Sequence, residues 1–210
     1  MRKRGVLAAM LTGVMLVLCG CGGMTTDEAK DYVKSALDAG YKAEFKEYAE
    51  ITDSTEKEAK KEYETNLDNS MKEAGFDETG VSDELKANYR KLFEKMLKSA
   101  NHKVGEVKEA GDDEFKVSVE VQPFTAFSTV SEELDNWVTD TYSNIEYVPS
   151  DEELNEAIMK KMYELMDEKM NNGDKTTVTV NVKVDKDGAY YIPQKDLTAV
   201  DDALFPEDSL

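Results

Sequence analysis

The chain has 210 residues, 26 basic against 45 acidic, for a formal net charge of −19. Such a surface repels nucleic acid and anionic lipid headgroups and leaves basic partners and divalent cations as counterparts. There is one histidine, His102, and there are two cysteines, Cys19 and Cys21. Two-histidine metal motifs are therefore excluded, and no disulfide, thiolate site or cysteine nucleophile lies beyond residue 21.

The chain opens on an export signal. Arg2, Lys3 and Arg4 come first, and Gly5 to Leu18 follow without a charge. That run is shorter than the ~18 apolar residues of a spanning helix and fits the apolar stretch of a signal peptide. Leu16 and Leu18 break the A-x-A-like pattern of an ordinary secretory site. Leu18-Cys19-Gly20-Cys21 instead resembles the bacterial lipobox: a branched apolar residue, a variable one, a small one, then cysteine. The resemblance implies cleavage after Gly20 and a diacylglyceryl group, with palmitate-type chains, on the Cys21 sulfur. Cys19 is the competing site, but it would put Leu18 where the lipobox has a small residue. An uncleaved signal anchor is the other alternative. Two acyl chains are what stable anchoring takes. Loss of residues 1–20 removes three basic residues and no acidic one, which leaves 23 against 45, a charge near −22.

Residues 21–25 form a short tether, and residues 26–210 are expected to make a single extracytoplasmic domain. Thr25-Thr26-Asp27-Glu28 is a capping-box pattern, after which Ala29, Tyr32, Val33, Ala36, Leu37 and Tyr41 recur at helical spacing. Gly40 ends or bends this helix. A short second helix carries Phe45, Tyr48 and Ala49. Asp53-Ser54-Thr55 with Glu56 and Glu58 caps a third, with Ala59, Tyr63, Leu67, Met71 and Ala74 on its apolar face. Gly75 and Gly80 bracket a turn. Ser82 opens a fourth helix with a stripe of Leu85, Tyr89, Leu92, Phe93, Met96 and Leu97.

The period then falls to 2. Lys103 to Glu109 reads as a weak strand and Gly111-Asp112-Asp113 as a turn. Phe115, Val117, Val119 and Val121 alternate with polar residues, the pattern of a half-buried antiparallel strand, limited by Pro123. Thr129-x-x-Glu132 starts a helix with Leu134, Trp137, Val138 and Tyr142. Ser150-x-x-Glu153 caps the next, with Leu154, Ile158, Met162, Leu165 and Met166 inward and Gly173 at its end. Val178 to Val184 alternates again, Asp185-Lys186-Asp187-Gly188 turns into Tyr190 to Ile192, and Asp196 to Phe205 reads as a last short helix. A helix starting at Ser82 and one starting at Ser150, each followed by a hairpin, form an internal echo that shared helical spacing also explains.

The predicted fold class is α+β. N-terminal helices precede a helix-hairpin-helix-hairpin order, which gives an antiparallel sheet of about four strands covered by helices on one face. Cystatin-like and NTF2-like layouts belong to this class.

Ala29-Lys30-Asp31-Tyr32-Val33 through Tyr41-Lys42, the aromatic stretch Phe45 to Thr52, and the ending Asp187-Gly188-Ala189-Tyr190-Tyr191-Ile192-Pro193 with Asp196 to Asp201 resemble small uncharacterised lipoproteins of Gram-positive gut bacteria. The resemblance implies a place on the outer face of the cell membrane and carries no site residues with it.

Candidate chemistry is sparse. Asp185-x-Asp187-Gly188 begins like a calcium loop but lacks the later ligands, and a hairpin turn explains it. Asp112-Asp113-Glu114 reads the same way. His102 is a candidate general base, against the plainer reading of a solvated linker residue. No Gly-x-Ser-x-Gly elbow and no phosphate-binding glycine loop is present. The aromatic residues Tyr32, Tyr41, Phe45, Tyr48, Tyr190 and Tyr191 suit either a core or an apolar cleft, and the methionines at 159, 162, 166 and 170 suit adaptable packing. The expectation is a non-enzymatic, membrane-anchored binding module without cofactor or metal. Its partner would be a protein, a peptide or a small apolar ligand. An accessory subunit of an envelope complex and a carboxylate-dependent hydrolase are the alternatives. Cys21, as the lipidation site, is the functional residue.

Overall fold

The computed structural model describes residues 18–19, 23–76, 80–111, 113–143 and 149–206. Gly20, Cys21, Asp112 and the basic and apolar parts of the export signal lie outside them. Helix α1 (Thr26–Leu37) starts on the expected capping box: the Thr25 hydroxyl accepts from the Glu28 N–H, and the Glu28 carboxylate accepts from the Thr25 N–H. Around Gly40, where an end or a bend was expected, the chain widens into a π-helical turn, Asp38–Lys42, closed by Ala43 in the left-handed region (φ 57°). Helices α2 (Lys46–Ile51) and α3 (Glu56–Glu73) follow, the latter with a second capping box from Thr55 and Glu58. Helix α4 (Asp83–Lys98) buries the whole predicted stripe from Leu85 to Leu97.

Strands β2 (Asn101–Gly111) and β3 (Glu114–Gln122) form the first hairpin, and β4 (Thr176–Val184) and β5 (Ala189–Tyr191) the second. The β3–β4 pairing joins them into an antiparallel sheet of order β5-β4-β3-β2. A two-residue strand, β1 (Leu18–Cys19), pairs on the outer edge of β5. The four-stranded sheet expected from the alternating valines is therefore present. Phe115, Val117, Val119 and Val121 are buried on one face, while Lys116 is exposed on the other. Helix α1 lies across β2, β3 and β4, and α7 (Gln194–Leu204) packs on β4 and β3, so helices cover the apolar face.

Helices α5 (Ala126–Tyr142) and α6 (Asp151–Glu168) make the remaining pair. Side by side, α3, α4, α6 and α5 each pack on the next. Helix α5 begins at Ala126 rather than at Thr129, because Pro123-Phe124-Thr125 already leaves the sheet: the Phe124 N–H donates to the Leu204 carbonyl (2.6 Å) and the Thr125 N–H to that of Asn171 (3.0 Å). Helix α6 ends at Glu168, short of Gly173. That glycine instead lets two backbones meet, since a Cβ there would lie 2.9 Å from the Thr125 methyl. Among the described residues no helix is long and apolar enough to cross a membrane.

Candidate functional site

The π-turn joins four buried polar side chains, its own Asp38 and Tyr41 with His102 of β2 and Asp201 of α7. Asp38 is the hub. It accepts from the Nε2 of His102 on β2 (2.9 Å), from Lys34 one turn back (2.9 Å) and from Lys42 one turn on (2.8 Å). An ionised carboxylate only accepts, so His102 donates from Nε2, and its Nδ1 has no partner among the described residues. Burial alone would raise the Asp38 carboxyl, but the hydrogen bonds from His102, Lys42 and Lys34 outweigh it and hold the group well below the usual carboxylate range. Three residues on, Tyr41 turns the other way. Its hydroxyl donates to Asp201 of α7 (2.6 Å), and its ring packs against that of His102 at 5.7 Å. Burial, then the Asp201 charge, push the Tyr41 phenol well above its ordinary value.

His102 was expected in a solvated linker or as a general base. It is neither. The strand starts two residues earlier than Lys103, which puts His102 in step with inward-facing Val104, and its side chain is 2 % exposed. An imidazole sealed in this way ties β2 to the π-turn through Asp38.

Outside this hub lies a groove of about 580 Å³, lined by Asp38, Ala43, Glu44, Phe45, Lys46, Glu47, Glu50 and Glu56. The size suits a small ligand, but the lining does not suit an apolar one: five carboxylates surround a single aromatic ring. Nor does it hold a buried carboxylate pair of the kind a hydrolase uses. Glu44, Glu47, Glu50 and Glu56 are solvent-exposed, and Asp38 is already engaged by three donors. Behind it, Tyr48 and Tyr63 line a cavity of about 10 Å³, with neither hydroxyl hydrogen-bonded. That is room for one water molecule. Burial raises the Tyr63 phenol to about 12. Tyr32, Tyr41 and Tyr48 are thus core residues and form no apolar cleft.

The Asp185 loop is a turn. Asp185 Oδ1 accepts from the N–H groups of Asp187 (2.8 Å) and Ala189 (2.9 Å), and Gly188 takes the positive φ (83°) that the hairpin requires. Among the described residues no cluster of three metal-ligating side chains forms.

The α5–α6 hairpin is different in character from the rest. Leu154, Ile158 and Met162 were expected to face inward, and Leu134, Trp137, Val138 and Tyr142 form the apolar set of α5. All seven are only half-buried, and among the described residues of these two helices Val130, Leu165 and Met166 are fully buried. Sequence periodicity found the stripe but could not show that α5 packs chiefly on α6. The two helices carry 11 acidic and 2 basic residues, a net −9. The pair is tied to the body on one side, where Glu156 accepts from the Ser82 N–H (2.9 Å) and hydroxyl (2.7 Å), Tyr89 donates to the Met159 carbonyl (2.6 Å) and Lys95 meets Asp167 (2.7 Å). Trp137, the sole tryptophan, packs edge-on to Tyr142 at 5.8 Å.

Cys21 lies outside the described residues, but its flanks do not. Gly23 passes so close to Asp113 that a Cβ would sit 2.8 Å from Oδ1, and the Met24 N–H donates to the Tyr190 hydroxyl (2.8 Å).

No family model and no curated protein matches the chain. Among solved structures it is similar in fold to a crystal structure of a candidate lipoprotein (ycdA) from Bacillus subtilis, with a TM-score of 0.58 and 21 % identity, over 87 % of this chain. The match covers 58 % of the length of that protein, and the likeness is one of α+β fold.

Proposed function

We propose that the chain is a lipoprotein, held to the outer face of the cell membrane through lipid on Cys21, and that it serves as a non-catalytic binding module for a basic, amphipathic protein segment. The α5–α6 hairpin carries this reading. It presents a half-exposed apolar stripe with the only tryptophan, set in a field of net −9. Aromatic residues are the usual anchors of an interface, and opposite charge on the partner steers the encounter. The lipobox-like Leu18-Cys19-Gly20-Cys21 and the fold shared with a candidate lipoprotein support the anchor.

Two measurements test it. With the full chain in membranes, a synthetic peptide with lysine and leucine at helical spacing should shift Trp137 emission to the blue and saturate. Its acidic counterpart should leave the emission unchanged. Replacing Glu132 and Asp140 by lysine should weaken binding by about tenfold, on the order of 1.4 kcal/mol. Equal response to both peptides would sink the partner assignment. Separately, Cys21→Ala should give an unprocessed chain without lipid, and continued processing in that variant would remove the anchor.

A further inference from the structure

The tether is so short that it fixes which end of the protein meets the membrane. Two peptide units span at most about 7 Å, so Cys21 is confined to that distance from Gly23. Gly23 is pressed against Asp113 in the β2–β3 turn, and Met24 is hydrogen-bonded to Tyr190 of β5. Thr25 then caps α1 at once, which leaves no slack to pay out. In the uncleaved chain Cys19 also pairs with Ala189 of the same strand. After cleavage the backbone that follows Cys21 is still held at this one end of the sheet.

The strand registers define that end. Phe115 faces Val182 and Val184 faces Tyr190, so the β2–β3 turn at Gly111–Glu114 and the β4–β5 turn at Asp185–Gly188 lie together. Asn101, Gln122 and Thr176 mark the opposite end. The nine residues of β3 separate the two ends by roughly 26 Å.

We infer that the two hairpin turns, with Asp113 and Asp187 at their tips, lie against the phospholipid headgroups, and that the base of the α5–α6 hairpin stands away from the membrane at the far end of the sheet. The inference rests on the lipid at Cys21. Three lysines of this end pair within it, Lys183 with Glu114 (3.2 Å), Lys108 with Glu106 (3.2 Å) and Lys186 with Asp187 (3.5 Å). The lipid and the short tether hold this face down, not attraction between its charges and the bilayer.

The processed, lipidated protein has no free thiol, so an added cysteine takes a fluorophore alone. Asp187→Cys at the near end and Asp174→Cys at the far end are both exposed positions. Each labelled protein is placed in vesicles of phosphatidylcholine and phosphatidylglycerol that contain a spin-labelled headgroup lipid. The separation of roughly 26 Å should make quenching at 187 at least about threefold stronger than at 174, unchanged at high salt. A Gly/Ser insert of about 20 residues between Gly22 and Gly23, with a reach near 25 Å, should erase the difference. Equal quenching with the native tether overturns the orientation while leaving the anchor intact. If mass spectrometry finds no lipid on the N-terminal cysteine and alkaline carbonate strips the protein from the membrane, the anchor falls, and the orientation with it.

Discussion

Asp38 shows what one buried carboxylate does when three donors converge on it. Its side chain is 6 % exposed, and it gathers α1, the π-turn and β2 at a single point. Asp38→Ala should leave His102 buried with neither ring nitrogen partnered and should free two lysines. Loss of about 2–4 kcal/mol is expected, because the buried half of the cluster loses its partner while the exposed lysines are screened. In thermal unfolding that is a drop of roughly 5–15 °C. Its pH dependence has a definite sign. The folded-state pKa lies below the unfolded value of about 4, so the stabilisation is complete above that pH and drains away as pH falls below it. Asp38→Asn should flatten the acid limb of the stability curve. An unchanged limb would show that other carboxylates govern acid unfolding.

Among the elements, α4 and β3 are core and the α5–α6 hairpin is not, so equal truncations should differ in cost. Leu92→Ala, in a residue 2 % exposed, should cost about 2–5 kcal/mol. Trp137→Ala should cost at most about 1 kcal/mol of stability, because its ring is half in water, yet it should abolish the binding described above. Comparable destabilisation would mean that the hairpin is packed for stability and not for a partner. This contrast also marks how far the sequence was legible. Capping boxes at Thr25, Thr55 and Ser150, the stripe of α4 and the valine alternation of β3 and β4 each depend on a few neighbouring residues, and all are present in the structure. The π-turn, the earlier starts of β2 and α5 and the burial of His102 depend on contacts distant in sequence, 64 residues apart for Asp38 and His102. A strand pattern begun at Asn101 would have put His102 on the inward face, and this was the one signal available. Of the candidate site, the residues of the stripe were legible and their exposure was not. Cys21 is read from its neighbours in sequence alone and lies outside the described residues.

At the scale of the whole molecule, the excess of acid works against compactness. With 45 acidic residues against 26 basic ones, self-repulsion is relieved as ions screen it. Thermal stability should therefore rise by a few degrees between about 0.01 M and 0.15 M salt, where the Debye length falls from about 30 to 8 Å. Binding of a basic segment should weaken over the same range. A fold indifferent to salt would show that the carboxylates are spread widely enough not to sense one another.

The sealing of His102 reaches beyond packing. Between about pH 6 and 7.5, imidazole is the side chain whose ordinary titration changes a protein's charge, and the only one here is enclosed by Asp38 and Tyr41. The outer surface thus has no histidine with which to register acidification of its surroundings. A cationic partner would meet carboxylates there and no imidazole, and its hold would follow the local ion content.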